Sequence, residues 1–160
     1  MNPQRGSTTL RVATWNIDWA RRARVHAQQA EVIARAAADV WVLTEARADV
    51  LPPRWASATS AMIPTANSNS TEDAGFFAIV GAPELRCVDV PELPTAAAAL
   101  VPIAGQRWLV LGVSMPWRRN APPLPEGPAP DAENGPAQWR MVLTQLDAAL
   151  ERLSPLVVRR

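Results

Sequence analysis

Residues 10–45, LRVATWNIDWARRARVHAQQAEVIARAAADVWVLTE, hold the pattern that decides the fold. From Leu10 to Ile17 the run is apolar on both faces, which predicts a buried strand. An amide interrupts its end, at Trp15-Asn16-Ile17-Asp18. In the segment that follows, Val25, Gln29, Val32, Ile33, Ala36, Ala37 and Val40 trace a mostly apolar stripe at helical spacing. Arg24, Gln28, Glu31 and Arg35 lie on the other side. Asp39 then gives way to VWVLTE, a short apolar run rich in β-branched residues and so a second buried strand. Strand, helix and strand in this order make a βαβ unit with parallel strands and a right-handed crossover.

The pattern changes beyond Glu45. A short helical turn is expected over residues 46–50, stopped by Pro52-Pro53. Residues 57–73 are polar apart from the strand candidate AMIP. GFFAIVG, ELRCVDV, AAALVPI and RWLVLGVSM read as further strands, with turns at Pro91-Glu92-Leu93-Pro94 and Ala104-Gly105. Short turns between successive strands predict antiparallel pairing. Residues 116–136 are too rich in Pro for regular structure. A helix is expected over residues 137–153, with Trp139, Val142, Leu143, Leu146, Leu150 and Leu153 on its apolar stripe. Ser154-Pro155 should end it, and LVVRR should open another strand. Trp41, Trp108 and Trp139 read as core. The expected class is α/β in the form of an α+β sandwich: a βαβ unit, then mostly antiparallel strands, as half of a four-layer sandwich. Residues 1–9 would be a flexible lead and residues 10–160 one domain.

Composition sets the outer limits. The chain has 160 residues, 48% of them hydrophobic, enough for a real core. Its net charge of +1 argues neither for nor against a nucleic-acid partner. All 16 basic residues are Arg, the better fork for a phosphate. A single cysteine, Cys87, allows neither an internal disulfide nor a thiolate zinc cage. No apolar run approaches the roughly 20 residues that span a bilayer. A cytoplasmic protein is the expectation.

Asn16 and Glu45 each fall at or just beyond the carboxyl end of a strand of the βαβ unit. Ligand sites in open α/β sheets form outside those ends. If the strands are neighbours, an amide oxygen and a carboxylate come close together, a pairing that suits a hard divalent cation with water and phosphate completing its shell. From spacing alone, a solvated strand-end acid and an ordinary turn amide remain the plainer alternative.

The pair RVATWNIDW and ADVWVLTEA resembles the opening motifs of the endonuclease/exonuclease/phosphatase superfamily, metal-dependent phosphoesterases related to pancreatic deoxyribonuclease. In that family a strand ending in Trp-Asn precedes a helix, and a hydrophobic strand preceded by Asp ends in the metal-binding Glu. Asn16 and Glu45 fall on those positions, and Asp39-Val40 leads into the second strand. GFFAIVG, RWLVLGVSMPW and QWRMVLTQLDAALERLSPLVV are similar to later family segments. The likeness spans most of the chain and about the first half of a family domain. Where many members carry a His, this chain has Ser114-Met115-Pro116-Trp117. The Gly-Asp-x-Asn and Ser-Asp-His motifs, the latter supplying the family's general base, do not occur.

The resemblance implies magnesium- or manganese-dependent hydrolysis of phosphodiester or phosphomonoester bonds, with Asn16 and Glu45 at the cation and turnover weak or absent. The rival expectation is a non-catalytic binding module on the same scaffold. Arg118-Arg119, beside Trp117, could grip a substrate phosphate, and Ser114 is a further candidate contact. Glu72-Asp73 reads as a solvated turn. His26 reads as a surface or partly buried helix residue. The expected partners are a phosphoester, nucleic acid among the options, and a second copy of the chain meeting an exposed sheet face.

Overall fold

The computed structural model describes residues 9–17, 23–63, 75–115 and 135–157. The element order is β1 (Val12–Asn16), α1 (Ala23–Arg35), β2 (Val40–Ala46), β3 (Ala56–Thr59), β4 (Met62–Ile63), β5 (Gly75–Ala82), β6 (Arg86–Val88), β7 (Ala96–Ile103), β8 (Gln106–Val113) and α2 (Gly135–Leu153). A 3-10 turn, Ala48–Val50, sits where the sequence called for a short helical turn.

The described strands form two sheets. In the first, β1 pairs with β2, β2 with β5, and β5 with both β3 and β4; the second runs β6-β7-β8. Only β1 and β2 are parallel, as a strand–helix–strand connection dictates; the other described pairs are antiparallel. This is an α+β sandwich.

The core follows from which face each strand offers. Val40, Ala78, Val80 and Ala82 of the first sheet meet Ala97, Ala99, Val101 and Val110 of the second. On the first sheet's outer face, Trp41, Leu43 and Ile79 pack against Ile33 of α1 and against Val50 and Leu51. On the second sheet's outer face, Ala96 and Ala98 pack against Val142 and Ala149 of α2. The described elements alone thus build four layers, helix, sheet, sheet, helix. The alanine run of β7 lets sheet and helix approach from both sides. Gly112 serves the same end, since a Cβ there would lie 2.7 Å from Cγ1 of Val42.

Several expectations need correction. β1 is not buried on both faces: Val12, Thr14 and Asn16 are exposed, while Ala13 and Trp15 are half-buried. Among the described strands it is an edge of its sheet, and the second sheet stacks over β2 and β5. The buried side of α1 is Gln29, Ala30 and Ile33, whereas Val25 and Val32 are exposed and Ala36 and Ala37 lie beyond the helix. β3 went unforeseen, because Ala-Ser-Ala-Thr has little strand propensity; pairing with β5 and burial of Ala58 impose the conformation.

The predicted strand after Ser154-Pro155 does not form over the described residues. Ser154–Leu156 is a 3-10 turn, and Leu156 and Val157 are exposed. α2 begins at Gly135, two residues before the expected start. Trp139, expected in the core with Trp41 and Trp108, is exposed, as are Leu143 and Leu150. Arg118, Arg119, Glu72, Asp73 and most of the Pro-rich stretch lie outside the described residues.

Candidate functional site

The register of the parallel pair places the candidate residues. Asn16 stands opposite Thr44, and the Ile17 N–H donates to the Thr44 carbonyl at 2.9 Å. Glu45 is therefore one residue past the partner of Asn16, on the adjacent strand and at the same carboxyl rim. Paired strands lie only about 4.8 Å apart. The rim is held from the helix side as well: Gln29 of α1 is buried and its Nε2 donates to the Ile17 carbonyl at 3.2 Å.

Glu45 has an unusual backbone. Its φ is 51°, in the left-handed region that a non-glycine side chain enters at a cost of roughly 1–2 kcal/mol. The ladder between β2 and β5 pairs Thr44 with Ala78 and resumes with Ala46 and Phe76, skipping Glu45. Strict alternation along β2 is thus broken at this one residue, between two residues whose positions are fixed. Its half-buried carboxylate makes no ion pair among the described residues, whereas Asn16 is exposed and already engaged. Left-handed residues over-determined by their surroundings concentrate at functional sites.

Beyond the rim, β2 runs into a charged latch. Arg47 donates through Nε and Nη2 to the two carboxylate oxygens of Asp49, at 3.1 and 2.9 Å. Nε2 of His26, in the first turns of α1, lies 3.0 Å from Oδ1 of the same aspartate. Burial pushes the Asp49 carboxyl up, but the Arg47 hydrogen bond and the charges of His26 and Arg47 outweigh it, and the net shift is downward. The latch ties the start of α1 to the 3-10 turn after β2. Sequence reasoning missed it, since no spacing links His26 to an aspartate 23 positions away.

At the opposite end of the pair, Asp39 accepts from the Arg11 backbone N–H at 2.9 Å and from its guanidinium. That backbone hydrogen bond, with the guanidinium behind it, holds the Asp39 carboxyl below the usual carboxylate range. Asp39 is thus a strand-start clamp, remote from the rim.

The register sets Asn16 and Glu45 at the ends of adjacent strands and leaves Ser114 just after β8 of the other sheet. Ser114 follows β8, is buried, and spends its backbone N–H on the Thr95 carbonyl at 3.1 Å. Among the described residues no three His, Cys, Asp or Glu side chains gather as a metal cage. The donor set is one carboxylate and one amide. That set fits magnesium, which keeps several waters and takes one or two protein carboxylates with substrate phosphate. It does not fit zinc, which wants three or four N or S ligands. No described helix is long and apolar enough to cross a membrane. Comparison of the chain with protein-family models, curated proteins and solved structures gives no match.

Proposed function

We propose that the carboxyl rim of β1 and β2 is a magnesium- or manganese-dependent phosphoester site, and that the chain is a slow phosphoester hydrolase. The observation that carries this reading is Glu45: a left-handed residue whose carboxylate makes no ion pair among the described residues, one position past the partner of Asn16. A divalent cation bound there would polarise a phosphoryl oxygen and neutralise developing charge. Glu45 supplies the anionic oxygen ligand. Asn16 adds a neutral oxygen, and its amide protons can orient a phosphate. Gln29 and the Ile17–Thr44 hydrogen bond keep the two strand ends in register. His26 is tied to Asp49, and no other His lies in the chain, so proton removal from water falls to solvent and turnover is expected to be low.

The test is hydrolysis of bis(p-nitrophenyl) phosphate and of oligonucleotides by the purified chain, with magnesium or manganese against a chelator. Metal-dependent turnover that falls at least tenfold in Glu45→Gln supports the reading; turnover indifferent to chelator and to this substitution refutes it.

The lack of an acidic cage among the described residues favours one other reading, a phosphate-binding module without catalysis. It predicts phosphate or oligonucleotide binding with no turnover and no response to magnesium.

A further inference from the structure

α2 carries more apolar surface than the second sheet can cover. Val142, Ala149 and Leu153 are buried and Leu146 half-buried, and Val142, Leu146 and Ala149 pack with residues of β7 and β8. Trp139, Leu143 and Leu150 form another line, at 43%, 48% and 49% exposure. At 3.6 residues per turn these three project within roughly 40° of one another, beside the buried stripe. Leu156 and Val157, also exposed, lie just past the helix end. Large apolar side chains aligned on one helix face mark a contact surface more often than chance exposure.

The flank of this line selects the partner. Arg140, Asp147 and Glu151 occupy the neighbouring strip on the solvent side, all exposed and without an ion pair among the described residues. Arg152, by contrast, is taken by Glu92 and the Asp89 carbonyl. The strip is positive near the helix start and negative near its end. A strip with two acids and one base does not suit an anionic lipid surface. It suits its own reverse.

In an antiparallel pair of helices, the same flank of each faces the other. Setting Trp139 against Leu150 of a second copy, and Leu143 against Leu146, brings Arg140 within about 3 Å of axial rise of Glu151 in that copy, twice by symmetry. In a parallel pair the two strips would fall on opposite sides of the seam, and these ion pairs would not form.

We propose that two copies of this chain associate through α2, antiparallel, with Trp139, Leu143 and Leu150 as the apolar seam and Arg140–Glu151 as reciprocal ion pairs. This surface is independent of the β1–β2 rim. A 19-residue helix is about 28 Å long, so the contact sits at or below the low end of stable interfaces and the dimer is weak, with a Kd of roughly 10–100 μM.

Sedimentation equilibrium of the full chain from low micromolar to near-millimolar concentration tests this. The wild type should pass from monomer to dimer. Leu143→Glu should leave a monomer throughout, with an unchanged circular dichroism spectrum. Arg140→Glu and Glu151→Arg should each weaken the dimer about fivefold or more, and the doubly exchanged chain should recover to within about twofold of the wild type. A wild type that stays monomeric, a dimer indifferent to Leu143→Glu, or single charge reversals that the double exchange does not repair would each overturn the proposal.

Discussion

Glu45 sits where two demands on one residue conflict. Its backbone favours glycine, while the proposed cation site needs its carboxylate. Glu45→Gly should therefore stabilise the fold by about 0.5–1 kcal/mol in chemical denaturation while removing any response to magnesium. Loss of stability would mean that the carboxylate has a structural task. Ala104 offers the same backbone without a functional claim. Ala104 and Gly105, with φ of 48° and 77°, form the two-residue turn between β7 and β8. Such a turn, with both φ positive, prefers Asn-Gly. Ala104→Asn is expected to raise stability by a few tenths of a kcal/mol, up to about 1, read from the denaturant midpoint. The sequence announced this turn through its Gly and announced Asn16 and Glu45 through their strand-end positions. It gave no sign that Glu45 would be left-handed, because that follows from the skipped rung against β5, a contact more than 30 positions away in the chain.

The helices and strands were legible where periodicity alone decides, and misjudged where burial depends on a distant neighbour. α2 shows both. Periodicity predicts its helix and sets five leucine and valine positions and one Trp on a single stripe; the structure divides them between a packed face and an exposed one. Leu153→Ala should cost about 2–5 kcal/mol, since Leu153 is 1% exposed, whereas Leu150→Ala should cost well under 1. Equal losses would place the sheet against the wrong face of α2. β1 and β2 make a prediction about acid. Asp39 and Asp49 both titrate below the ordinary aspartate value in the folded chain. A folded-state depression contributes stability that is fully present above the unfolded value and disappears as pH falls through the folded one. The chain should thus lose stability below about pH 4, and Asp49→Asn should flatten that part of the profile. A profile unaltered by Asp49→Asn would separate the latch from acid unfolding.

At the scale of the whole molecule, β1 is an edge among the described strands, with Asn16 exposed at its end and Glu45 half-buried beside it. The sandwich class was legible because a βαβ unit followed by short-turned strands admits few arrangements. Which strand lay at the edge was not, since that depends on where the second sheet stacks. An outward rim would leave the proposed cation site accessible. At ten times its Kd, a bound cation should stabilise the chain by about 1.4 kcal/mol, raising Tm by roughly 3–5 °C. The most direct measurement is a manganese titration of the full chain followed by electron paramagnetic resonance, with Glu45→Gln and Asn16→Ala alongside. One bound manganese per chain, weakened at least tenfold by Glu45→Gln and less by Asn16→Ala, is the expected result. Manganese binding that is absent, or that survives Glu45→Gln unchanged, would contradict the assignment of this rim as a cation site.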